Sequence, residues 1–225
     1  MRKQPQEPLA PLPLTPSREA PSNPKALTIL RAARSIFLTH GFSAATTDMI
    51  QKEAGVSKST VYAHYANKDA LFAAVIEAEC AAIMGKVRDI EFRPGQLRET
   101  LTALARAYLN IILSQDGLSF FRVVVADAPR FPELAHRFYV AGPDVMTAMI
   151  SELLASATAS GELELSGLER EAAARLFINL VRSEPQLQCL THPHATPSTK
   201  QIDQWIDAAV TTFMRAFGRE RHKSV

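Results

Sequence analysis

Residues 54–71 read AGVSKSTVYAHYANKDAL, and the fold of the chain turns on them. Gly55 is a helix stop, and Ser57 and Asn67 are both good N-caps. Between the caps there is room for about two helical turns. Val61 and Tyr65 lie four residues apart, which puts them on one face of such a helix. With those two facing a core, Lys58, Ser59, Tyr62 and Ala63 face away, and Thr60 and His64 flank them. The outward side then carries hydroxyls and a lysine and no carboxylate of its own. That chemistry suits phosphates and the acceptor edges of bases. The helix N-terminus adds a partial positive charge.

The flanking sequence places this helix among others. Asn23-Pro24 pairs an N-cap with a proline at the first helical position. Ile29, Leu30, Ala33, Ile36 and Phe37 recur at helical spacing, Gly41 stops the run, and Phe42 is expected to fold back as an anchor. Thr47 is the expected cap of a short second helix that turns Ile50 and Ala54 inward and ends at Gly55. Asn67 opens a longer fourth helix through Leu71, Phe72, Val75 and Ile76. Two short helices about a tight glycine turn, with others packed on them, make a helix-turn-helix domain.

Composition agrees with an all-α chain. It has 225 residues, 47% apolar and 21% charged, with only 9 glycines. Half of its 14 prolines fall within residues 1–24. Proline lacks the N–H that helices and sheets need, so residues 1–23 are expected to form a disordered arm. Beyond Pro94-Gly95, helices are expected over about 96–114, 117–127, 132–140, 143–159, 168–187 and 199–217, with a break at Gly142-Pro143. The total is nine or ten. The expected domains are 24–70, the helix-turn-helix unit, and 71–220, a helical body.

Formal net charge is +2, unevenly spread. Between residues 25 and 68, Lys25, Arg31, Arg34, Lys52, Lys58 and Lys68 outnumber Asp48 and Glu53, which suggests an anionic partner for this end. Cys80 and Cys189 are the only cysteines, and no stretch of about 20 apolar residues occurs. A cytoplasmic protein with reduced thiols and no membrane partner is the simplest reading. No G-x-S-x-G, HExxH, G-x-G-x-x-G or phosphate-loop pattern is present, which argues against an enzyme and against a bound cofactor. His192 and His194 are the one close histidine pair, with a proline between them and no carboxylate near, a poor metal site. An interaction protein that has lost DNA binding would keep the same folded front.

The run TTDMIQKEAGVSKSTVYAHYANKDALF, residues 46–72, resembles the DNA-binding signature of the TetR repressors. RAARSIFLTHGF, residues 31–42, resembles the first helix of that family and its Gly-Phe ending. By that resemblance Thr47, Thr60, Tyr62, His64 and Lys68 occupy phosphate-contacting places, and Lys58, Ser59 and Ala63 occupy places from which bases are read. Tyr65 stands where the family usually has Phe. FFRVVVADAPRFPELAHRFYVAGP, residues 120–143, is similar to the C-terminal domains of an AefR-like branch.

The resemblance implies a homodimer on a palindromic operator in double-stranded DNA, usually a repressor, released by a small and lipophilic effector. The last two helices would form the dimer interface, through Ala173, Leu176 and Leu180 and through Trp205, Ile206, Ala209 and Phe213. The middle helices would enclose the effector. Tyr108, Phe120, Phe121, Val124, Met146, Met149 and Phe177 are the apolar candidates, and Arg122, Asp127, His136 and Tyr139 the polar ones.

Overall fold

The computed structural model describes residues 23–194 and 196–219, so the arm expected over 1–23 falls, but for Asn23, outside the described residues. Ten α-helices follow one another among the described residues, with no strand. They are α1 (Pro24–Ala44), α2 (Thr47–Ala54), α3 (Lys58–His64), α4 (Lys68–Arg88), α5 (Leu97–Ile112), α6 (Gln115–Asp127), α7 (Pro132–Tyr139), α8 (Val145–Ala159), α9 (Arg170–Thr191) and α10 (Thr199–Phe217).

Local chemistry explains the first four. The side chains of Asn23, Ser57 and Asn67 accept from backbone N–H groups of their own first turns. Gly55 ends α2 at φ 64°, a left-handed conformation that a residue with a Cβ resists. Thr46, not Thr47, caps α2, by accepting from the Met49 N–H. Thr47 is the first helical residue instead. Gly41 also takes a positive φ, 76°, and there α1 kinks before its last residues.

That kink drives Phe42 into the interior, where it is fully buried. Its ring lies 4.8 Å from Phe72 of α4, 5.8 Å from Phe37 of α1 and 4.6 Å from Phe131 ahead of α7. Tyr65 packs as the usual phenylalanine would and adds a bond: its hydroxyl donates to the Ala26 carbonyl at 3.3 Å. Burial raises the pKa of that phenol, which keeps it a protonated donor.

The core divides along α4. Leu71 through Cys80 join α1, α2, α3 and the inward residues Phe120, Val123, Val124 and Leu134 of α6 and α7. Met84 and Val87 join α5, α8, α9 and α10, where Phe177 and Phe213 stack edge to face at 5.2 Å. The body thus contributes side chains to the core beneath the helix-turn-helix. Gln96 gives α5 no side-chain cap. The buried Glu162 carboxylate accepts from Gly95 N–H and Leu97 N–H there instead.

The expected break at Gly142-Pro143 does not occur. A π-helical turn, Val140–Asp144, carries α7 into α8. Proline lacks one N–H, and the wider turn absorbs the misfit. Gly142 passes so close to α4 that a Cβ there would lie 3.2 Å from Cys80 Sγ.

Replacing Phe42 by Ala is expected to cost about 3–5 kcal/mol, the usual loss for a buried aromatic ring. Equilibrium denaturation of F42A against the wild type measures it; a loss below about 1 kcal/mol contradicts the central position of this ring.

Candidate nucleic-acid interface

α3 is presented as its spacing predicts. Val61 and Tyr65 are buried, Lys58, Ser59, Tyr62 and Ala63 are exposed, and Thr60 and His64 are half-buried at the flanks. The start of α2 comes alongside, with the hydroxyls of Thr47 and Tyr62 3.4 Å apart. Ser57 Oγ accepts from the Thr60 N–H at 3.2 Å and lies 2.8 Å from both Ser59 Oγ and Thr60 Oγ1. Two helix N-termini and a ring of hydroxyls therefore converge on one surface. Such a surface binds anionic oxygens through N–H and O–H donors.

The outer face of α3 carries no carboxylate of its own, but α2 brings one alongside it. Asp48, in the first turn of α2, meets Lys58 with Oδ1 2.9 Å from Nζ. The two residues are ten apart in sequence, and only the packing of α2 on α3 brings them together. Both side chains are more than half exposed. Asp48 was within reach of sequence reasoning, since it sits next to Thr47, but nothing local pointed it at Lys58.

Lys68 departs from its expected place. Its ammonium lies 4.5 Å over the Phe42 ring. It donates to the carbonyls of Phe42, Ser43 and Ala45 at 2.9, 3.5 and 3.0 Å. An ammonium has three protons, and all three point at the end of α1. Here Lys68 ties the turn between α1 and α2 to the start of α4, and its donors are not turned to a phosphate.

Asp127 closes the same turn from the other side. The Phe42 N–H donates to Oδ2 at 3.0 Å and the Ser43 hydroxyl to Oδ1 at 2.6 Å. Asp127, an effector candidate, is thus committed to the α1–α2 turn. The Arg122 guanidinium donates to the carbonyls of Cys189 and Leu190 at the end of α9. Arg34 of α1 adds a second link, to Glu79 of α4 at 2.6 Å and Asp116 of α6 at 2.8 Å.

The eleven effector candidates are spread over both cores and the surface. Tyr108, Met146, Met149 and Phe177 belong to the second core, and Phe120 and Val124 to the first. Burial pushes the Tyr108 phenol above its ordinary pKa, with Arg182 opposing. Phe121 meets Phe138 at 6.2 Å, Tyr139 is exposed, and His136 holds a buried Nε2 with no hydrogen-bond partner. Clefts of about 190 and 280 Å³ open elsewhere, by Cys189 and His192 and by Glu162 and Met214. Of the dimer candidates, Ala173, Ile206, Ala209 and Phe213 are spent inside this chain's own core. Leu176 and Leu180 are exposed and Trp205 is half-buried. The reason is that α9 is apolar on two faces. Ala173, Phe177 and Val181 turn inward, and Leu176, Leu180 and Leu187 turn out.

Cys80 and Cys189 are free and buried, and burial lifts the Cys80 thiol to about 12. Among the described residues no three His, Cys, Asp or Glu side chains gather to hold a metal, and no single helix is long and apolar enough to cross a membrane.

A short helix with a polar outer face, fixed beside a second helix N-terminus by a left-handed glycine, defines the helix-turn-helix transcriptional regulators. Within that class the chain belongs to the TetR family. Residues 29–75 match the family described as bacterial regulatory proteins, tetR family. Residues 99–219 match the C-terminal domain of AefR-like transcriptional repressors. The solved structure of the flavonoid-responsive regulator FrrA is 35% identical, with a TM-score of 0.73 over 87% of this chain and 98% of that one. A TetR-family regulator from Pseudomonas syringae shares the fold, at a TM-score of 0.71, 24% identity and coverage of 88% and 100%. The transcriptional activator FasR of Mycolicibacterium smegmatis is 28% identical over 153 residues, 68% of this chain and just under two thirds (65%) of FasR. Each of these relatives is named as a regulator.

Lys68→Met keeps an apolar stem over the Phe42 ring and removes all three donors. It is expected to cost about 1–2 kcal/mol of folding stability. Denaturant unfolding of K68M checks this; an unchanged midpoint would show that the carbonyl contacts carry no weight.

Proposed function

We propose that the chain is a dimeric, sequence-specific DNA-binding repressor that leaves a palindromic operator when a small, lipophilic effector binds its helical body. The observation that carries the reading is the outer face of α3, polar and slim, with Tyr62 meeting Thr47 at the start of α2. In this reading Thr47, Thr60, Tyr62 and His64 hold phosphates, and Lys58, Ser59 and Ala63 meet base edges in the major groove. Lys68 acts indirectly, by holding the turn against which α2 is seated. One recognition helix buries too little surface for useful specificity. Two of them, one DNA turn apart, require a dimer.

The outward leucines of α9 support that dimer. Leu176, Leu180 and Leu187 are 41%, 36% and 59% exposed and spaced by four and seven residues, which lines them along one side of the helix. An apolar stripe on a long helix is costly to leave in water. The AefR-like match favours repression, although FasR is named an activator. A relative named for its response to flavonoids supports an aromatic or lipophilic effector. α6 is the natural relay, because it holds Phe120, Phe121 and Arg122 within the body and Asp127 at the turn that seats Phe42. An effector shifts the equilibrium only by its unequal affinity for the two states.

Titration of random duplex at two salt concentrations tests the DNA reading. Affinity should fall steeply with salt, with a log–log slope of about −0.9 for each phosphate neutralised. Absence of binding at low salt refutes it. Leu180→Arg should convert the protein to a monomer by light scattering, and should weaken binding to a palindrome far more than to a single half-site. A dimeric L180R protein with full affinity places the interface elsewhere.

A further inference from the structure

We propose that Asp48 is a specificity-determining residue, which holds Lys58 in a base-reading pose and keeps it off the phosphates. The inference rests on the DNA-binding reading above. It starts from position: Asp48 opens α2 and Lys58 opens α3, and their charged atoms meet at 2.9 Å on the surface that carries Thr47 and Tyr62. Asp48 has a local alternative in Lys52, one turn along its own helix, and among the described residues it pairs with Lys58 across the turn instead.

Stability does not account for the pair. Exposed ion pairs contribute little to folding, and this one is open to solvent on both sides. A carboxylate facing a polyanion also opposes binding by like-charge repulsion. Its use lies in discrimination. A free lysine on a flexible stem would take the nearest phosphate, a contact that every sequence offers. With one Nζ proton committed to Asp48, the remaining two are aimed rather than free. They suit the O6 and N7 acceptors of guanine, and the second carboxylate oxygen of Asp48 suits the N4 amino group of the paired cytosine. Lysine and aspartate together would present a donor and an acceptor to one G·C pair. Specificity then includes a repulsive element as well as an attractive one.

The test is in vitro selection from a random duplex pool with wild type, D48N, K58A and the double variant. Affinities are then measured on the selected and a scrambled duplex at two salt concentrations. D48S serves as a second variant, and thermal melting confirms that each protein folds. D48N and D48S should lose preference at the same base pair as K58A, with discrimination there falling roughly tenfold. They should also bind scrambled DNA more tightly, with a salt slope steeper by about one contact. In the K58A background, D48N should change the base preference less than it does beside Lys58. Preferences in D48N and D48S identical to wild type overturn the proposal and leave the DNA reading standing. A wild-type protein that enriches no duplex overturns both.

Discussion

The seating of Phe42 is the constraint on which the rest of the molecule depends. The ring is enclosed by Phe37, Phe72 and Phe131, which come from α1, α4 and the approach to α7. Its backbone is held as firmly: Lys68 grips the carbonyl and Asp127 the amide. One residue thus joins the first helix, the helix that leads into the body, and the end of α6. α2 begins only a few residues later, so its direction is inherited from this junction, and α3 is seated on α2 in turn.

This arrangement gives the fold a short physical path between its two cores. Asp127 closes α6, whose inward residues Phe120 and Val124 lie in the core beneath the helix-turn-helix. Arg122, on the same helix, holds the last carbonyls of α9. α6 is therefore tied at one point to the α1–α2 turn and at another to the helix with exposed leucines. On the proposed reading, the same rod touches the DNA-binding end, the effector-binding body and the dimer face. Packed interiors resist continuous deformation, so such a rod responds by moving as a unit.

Local signals made much of this legible. Asn23, Ser57 and Asn67 each combine cap chemistry with a following apolar stripe, and each caps in the structure. Val61 and Tyr65 against Tyr62 and Ala63 is a matter of helical angle alone. Where two residues offered the same chemistry, sequence could not choose, as with Thr46 and Thr47. Where a bond spans the chain, it carried no signal. Asp127 reaches Phe42 across 85 residues. The same holds for Asp48 and Lys58, for Lys68 on the carbonyls of α1, and for the division of α9 into an inner and an outer apolar face. Periodicity identifies an apolar stripe but not which neighbour covers it. Pro143 misled for a different reason: it ends an ordinary helix, but a wider turn can carry it.

The close passage of Gly142 against Cys80 has a mechanical meaning. A glycine backbone set against a sulfur leaves no flexible side chain to give way, and the thiol, protonated up to about pH 12, has no charge to attract or repel. Glycine at 142 thereby lets the long α7–α8 rod come closer to the middle of α4 than a residue with a Cβ would allow. On the proposed reading, this close approach is the fulcrum about which α4 would pivot. Swinging the Met84 end one way about it would then carry the Lys68 end, and the reading head beyond, the other way.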